Sequence, residues 1–89
     1  MEKVYICESR IIRESSDYLS IHKTEDGALK EAIGNADRLI FDLKPSIQKQ
    51  YKLLKDSAIS CEEKHNLIEF FNDNHYDRVI EVYEDEIKD

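Results

Sequence analysis

The chain is 89 residues long with a formal net charge of −7, 40% apolar residues (five Tyr and three Phe among the aromatics) and 37% charged residues. One small domain with a compact core is the expectation, because the apolar positions are periodic and so argue against disorder despite the charge. No apolar run approaches the roughly 18 residues of a membrane span and no basic-then-apolar segment opens the chain, so neither a span nor a signal peptide is expected, and the cytoplasm is the expected location.

In chain order, Lys3 to Glu8 (KVYICE) reads as a strand, with Val4 and Ile6 on one face, Tyr5 and Cys7 on the other, and both faces partly covered. Residues 9–17 suit a hairpin connection, with Ser15, Ser16 and Asp17 as turn formers. Tyr18 to Lys23 alternates again, Leu19 and Ile21 against Tyr18, Ser20 and His22, and predicts a second strand running back beside the first.

Thr24 then caps a helix with Glu25 and Asp26 in its first turn, although Gly27 stands where a capping box needs Glu or Gln. Leu29, Ala32, Ile33, Ala36, Ile40 and Leu43 share one stripe at about 100° per residue, and the spacing predicts one continuous helix from Thr24 to Leu43, through Gly34 and Asn35. Pro45 stops it and opens a second helix with Ile47, Tyr51 and Leu54 on its face, ending near Asp56. Ser60 with Glu63 makes a capping box for a third helix, with Leu67, Ile68, Phe70 and Phe71 as its apolar face and Asp73 and Asn74 at its end. Tyr76 to Tyr83 fits both helical spacing and strand composition. A strand is preferred there, since two strands alone make a marginal sheet. Leu29, Ile33, Ile40, Leu67 and Phe71 are the expected core.

The charge is asymmetric. Residues 1–61 hold ten acids and ten bases, whereas residues 62–89 hold ten acids against Lys64, Arg78 and Lys88, so the whole excess lies in the last third. This disfavours direct contact with nucleic acid, whose phosphates would be repelled, and favours a basic partner. Glu62, Glu69 and Asp73 fall within about 40° of one another on the third helix, opposite the phenylalanines. Glu81, Glu84, Asp85 and Glu86 extend the negative region as a tail, and Asp89 and Lys88 close the count. An acidic stripe is also what any soluble helix uses to stay hydrated, so the pattern alone leaves both readings open.

Other chemistry is weaker. Cys61 and His65 stand four apart, with His75 or Glu69 as a third candidate zinc ligand, but no C-x-x-C and no second paired cluster accompany them. Cys7 or Cys61 with His22, His65 or His75 offers the atoms of a nucleophile and base, without an oxyanion-hole loop. Gly27 and Gly34, seven apart, make no phosphate loop. Lys44, Lys49, Lys52 and Lys55, interleaved with Tyr51, suit an acidic partner or nucleic acid and equally a solvated helix back. Cys7 and Cys61, in a strand and at a helix start, read as reduced thiols, and no disulfide, stoichiometric zinc or cofactor is expected.

The arrangement KVYICES…DYLSIHKTEDGALKEAI, closed by YDRVIEVYED, resembles small orphan proteins encoded by bacteriophages and other mobile elements. In these, a K-V-Y-I strand, a hairpin, a helix opening on T/S-x-E/D-x-A-L and an acidic last strand recur. The resemblance implies a host-takeover or anti-defence accessory role, including inhibition of restriction or CRISPR nucleases. It supplies no functional residues, and the two helices in the middle of this chain depart from it.

The expectation is therefore a single α+β domain over residues 1–89: a three-stranded antiparallel sheet, made by the N-terminal hairpin and the C-terminal strand, packed against three helices. The expected function is a non-enzymatic, acidic, intracellular binder that inhibits a basic, nucleic-acid-handling host protein as a DNA mimic, through Glu62, Glu69, Asp73, Glu81, Glu84 and Asp85. The alternatives are an antitoxin or immunity-like protein neutralising a basic toxin, and a metal-linked or redox regulator.

Overall fold

The β-branched and aromatic alternation at the N-terminus belongs to a ten-residue strand, β1 (Glu2–Ile11), at the centre of the sheet in the computed structural model, which describes residues 2–87. β2 (Ser16–His22) and β3 (Arg78–Ile87) flank it, both antiparallel, giving the order β2-β1-β3. Three helices, α1 (Glu25–Arg38), α2 (Pro45–Ser57) and α3 (Cys61–Asn74), complete the α+β arrangement. Lys88 and Asp89, which entered the charge count, lie outside the described residues.

The hairpin is tighter than the expected nine-residue connection. The Glu14 N–H donates to Ile11 O at 3.0 Å, and Arg13 closes the turn with φ 70. That is the left-handed region, which costs a non-glycine residue roughly 1 kcal/mol. Register then runs Ser9↔Tyr18, Cys7↔Ser20, Tyr5↔His22, with Asp17 left over as a bulge opposite the Ser9–Arg10 step.

α1 begins as predicted, with Thr24 Oγ1 accepting from the Gly27 N–H at 3.0 Å, and continues unbroken through Gly34 and Asn35. The predicted end at Leu43 is wrong. α1 stops at Arg38, and Ile40–Asp42 form a 3₁₀ turn. In a 3₁₀ turn residues three apart eclipse one another, so Ile40 and Leu43 still reach the core although the α-helical phase is lost, while Phe41 is thrown out at 84% exposure. Lys44, at φ −61 and ψ 146, then takes the extended backbone that a following proline imposes.

α3 has its full capping box: Ser60 Oγ accepts from the Glu63 N–H at 3.1 Å, and the Glu63 carboxylate accepts from the Ser60 N–H at 3.0 Å. Those backbone donors hold the Glu63 carboxyl below its ordinary range. β3 starts and ends later than Tyr76–Tyr83. Ring nitrogen Nδ1 of the buried His75 accepts from the N–H groups of Asp77 and Arg78 at 3.2 and 2.9 Å, so the chain before Arg78 is fastened to a side chain instead of a strand. Residues 84–86, expected as a tail, pair with Tyr5, Val4 and Lys3 of β1.

Cys7 and Ile80 of the sheet meet Ala28, Ala32, Ala36, Tyr51, Leu67, Ile68 and Phe71 of the helices in one core. Of the five expected core residues, Leu29, Ile40, Leu67 and Phe71 are buried, and Ile33 is only partly buried, packed against the rim. Since side chains alternate along a strand, the residues between Cys7, Ile80 and Val82 point to the opposite face. That face carries Val4, Ile6, Glu8 and Arg10 of β1, Leu19 and Ile21 of β2, and Val79, Glu81, Tyr83 and Asp85 of β3. The Cα envelope measures 47 × 31 × 16 Å, and its short dimension holds one sheet and one helical layer. Among the described residues no helix lies on the second face of the sheet, yet Val4 and Ile6 at its centre are buried, so both faces of β1 are partly covered, as expected.

Candidate interaction surface

The six acids singled out from the sequence do not form one surface. Glu62, Glu69 and Asp73 lie on α3, in the helical layer, and are exposed. Glu81 and Asp85 sit on the uncovered sheet face, on the far side of the molecule. Glu84 shares the alternation of Ile80 and Val82, at the distal end of β3 beyond the core.

Their electrostatic states differ as well. Arg10 donates from Nη1 to Glu81 Oε1 at 2.7 Å, and Lys3 Nζ lies 3.3 Å from Glu84 Oε1. Asp85 turns one oxygen to the Glu86 N–H at 2.8 Å. By contrast, among the described residues Glu62, Glu69 and Asp73 accept no side-chain hydrogen bond and face no cation within ion-pair distance. The helix keeps them apart at about 1.5 Å of rise per residue, so the stripe spans roughly 16 Å. Its opposite side, Leu67, Ile68 and Phe71, is locked into the core, which makes the stripe rigid. Among the described residues, the stripe is a row of three exposed carboxylates without an ion-pair partner on one fixed helix.

The lysines of α2 supply the opposite pole. Lys44, Lys49, Lys52 and Lys55 are all exposed, and Lys55 Nζ pairs with Asp37 at 2.6 Å. Tyr51, interleaved with them in the sequence, is fully buried, as its place on the apolar face of the second helix with Ile47 and Leu54 predicts, its hydroxyl donating to Asp37 at 3.0 Å and its ring meeting Phe71 edge-on.

Neither the zinc set nor the nucleophile set is assembled. Cys61 and His65 share a face at the start of α3 beside Glu25, where His65 Nε2 stands 3.8 Å from the carboxylate and that carboxylate pushes the Cys61 thiol up. His75 lies at the other end of the helix, its ring proton on Nε2 committed to Asp42 at 3.0 Å. Among the described residues no three His, Cys, Asp or Glu side chains converge as metal ligands. Cys7 is fully buried, and burial, with Glu31 nearby, pushes its thiol up to about 11, the reverse of an activated nucleophile. His22 is turned to Ser20 at 2.8 Å.

Sequence reasoning missed the bare sheet face. Glu8 stands near its centre, accepting from Ser16 Oγ and, at 2.8 Å, from Tyr83 OH, with Leu19 and Ile21 at 52% and 61% exposure on one side. The signal was present: helices α1 and α3 pack on one face of the strands, with α2 against α3, which leaves the Leu19/Ile21 alternation outside. Among the described residues no helix is long and apolar enough to cross a membrane. No protein-family model, curated protein or solved structure matches the chain.

Proposed function

We propose that the protein is a non-enzymatic cytoplasmic binder that uses the α3 carboxylates, Glu62, Glu69 and Asp73, to occupy a basic surface of a protein partner. A surface built to hold nucleic acid is the partner class that fits, because a row of fixed negative charges is what such a surface selects. One observation carries the reading: among the described residues no base lies within ion-pair distance of these three acids, whereas Glu81 and Glu84 are each paired to a base of the same chain. Acids already paired repel and attract little. Free acids on a locked helix lose little entropy on binding and keep their full charge for a partner. An anti-defence role against a restriction or CRISPR nuclease is a specific form of this proposal, and it rests on the resemblance to phage accessory proteins.

The test is capture from a bacterial lysate with the parent and with the triple variant Glu62→Lys/Glu69→Lys/Asp73→Lys, followed by a nucleic-acid-binding assay on what is retained. Each exchange adds two charges, so the variant carries six more than the parent's −7. The parent should retain a basic protein and release it from nucleic acid, and the variant should do neither. Equal retention by both sinks the proposal.

A further inference from the structure

We propose that the cleft between the end of α1 and the hairpin end of the sheet binds a small organic monocarboxylate, gripped by Arg38 and Arg78. The cleft encloses about 340 Å³ and is lined by Ser9, Asp17, Tyr18, Asn35, Arg38 and Arg78. Strand alternation brings the sheet residues together. Ser9 pairs with Tyr18 on one side and Ile80 on the other, and Arg78 shares the parity of Ile80, so these side chains point to the helical layer. Asn35 and Arg38, three apart in the last turn of α1, form the other wall.

The cleft holds a surplus of hydrogen-bond donors. Asp17 takes both of its contacts with Arg78 from one nitrogen, Nη1, at 2.8 Å, and Arg38 donates from Nη2 to Asn35 Oδ1. A guanidinium has five N–H groups, so most of both forks is left without a protein acceptor. Among the described residues no carboxylate stands within ion-pair distance of Arg38. Two buried groups add to the surplus. Ser9, 4% exposed, accepts a long contact from Arg78 Nη1 at 3.4 Å, and its hydroxyl proton has no acceptor among the described residues. Asn35, 7% exposed, reaches only Cys7 Sγ from Nδ2, at 3.8 Å, which leaves one of its two N–H groups unspent. Donors gathered in this way are answered by an oxyanion, which accepts from several at once.

Charge selects the class of oxyanion. Arg38, Arg78 and Asp17 sum to +1, the complement of one carboxylate, whereas a phosphate monoester carries about two charges near pH 7 and would set the second against Asp17. A planar carboxylate also matches the bidentate fork of arginine. Tyr18 and Leu39 give the organic part of the ligand an apolar wall. The proposal does not depend on what the α3 acids bind.

Titration followed by nuclear magnetic resonance tests it, with benzoate as the probe, benzamide as its neutral isostere and inorganic phosphate as the competing anion. Benzoate should shift the Nε–H signals of Arg38 and Arg78 and the side-chain amide of Asn35 to saturation, with a dissociation constant of roughly 1 to 10 mM, as suits so small a ligand. Benzamide and phosphate should each bind at least about tenfold more weakly. Arg38→Gln, at an exposed position, should weaken benzoate by about tenfold, and Ser9→Ala, which removes only the hydroxyl, by several-fold. Arg13→Gln, which removes the same charge from the hairpin tip outside the cleft, should leave the affinity unchanged. Circular dichroism of the variants should match the parent. A parent that shows no saturable shift up to roughly 100 mM benzoate overturns the proposal, as does equal binding of benzamide or an affinity indifferent to Arg38→Gln. Tighter binding of phosphate than of benzoate overturns the carboxylate class.

Discussion

Arg10 reaches across from β1 to β3 and donates to Glu81 at 2.7 Å, joining residues 71 positions apart in the chain. The Glu81 carboxylate holds the Arg10 guanidinium more firmly protonated than usual. Glu8 sits directly opposite Glu81 in the sheet, so Arg10 also separates two acids that would otherwise repel. The acidic end of the chain is therefore less free than its composition suggests.

Two backbone positions should be improvable. A Cβ built on Gly34 meets nothing within 4 Å, so Gly34→Ala should stabilise α1 by up to about 1 kcal/mol, seen as a higher melting temperature. Gly27→Ala should not, because its Cβ would come within 3.1 Å of Thr24 Oγ1, the atom that caps the helix. Arg13→Gly should also raise the melting temperature, by relieving the positive φ at the hairpin tip. A fall on Gly34→Ala would mean that the helix breaks there.

Ile40→Ala should cost roughly 2 to 5 kcal/mol, measured by chemical denaturation, since Ile40 is 8% exposed and belongs to the core despite leaving the α-helix. For a domain of this size that is a large part of its total stability. A loss below about 1 kcal/mol would place Ile40 on the surface and remove the reason for the 3₁₀ turn.

The core stripe of α1 and the capping box of α3 are legible in the sequence because both are local: the residues that act on each other are three or four apart. The end of α1 is not, because Ile40 and Leu43 satisfy an α-helical and a 3₁₀ spacing alike, and burial in the core decides between them. Nor is the fate of Glu81 and Glu84, whose partners Arg10 and Lys3 are fixed by strand register. The α3 acids were legible as a group since one helix presents them. That no base reaches them among the described residues was not.

Cys61, half-exposed, should react with a maleimide in the native protein, while Cys7 should react only after denaturation. The Cys7 thiol is pushed up from 9.0 to about 11, so its neutral form is the one the fold favours. The resulting stability is fully present below pH 9 and is lost as pH rises towards 11, by at most about 1.4 kcal/mol per unit. Cys7→Ala should remove that alkaline slope from the denaturation profile. A slope retained in the variant would assign it to other groups, and labelling of both thiols at equal rates in the native protein would expose Cys7.

The central claim is that function resides in free carboxylates on α3 rather than in acidity as such. The direct measurement is the dissociation constant of the retained partner against salt, for the parent, for Glu62→Lys/Glu69→Lys/Asp73→Lys, and for Glu81→Lys/Glu84→Lys. Binding by the parent should weaken as salt rises, because exposed contacts are screened over roughly 8 Å at physiological ionic strength. The α3 variant should bind at least about tenfold more weakly at low salt and lose most of that dependence, while the β3 variant stays close to the parent. If the β3 variant loses binding and the α3 variant keeps it, with both folds intact by circular dichroism, the account of α3 is contradicted.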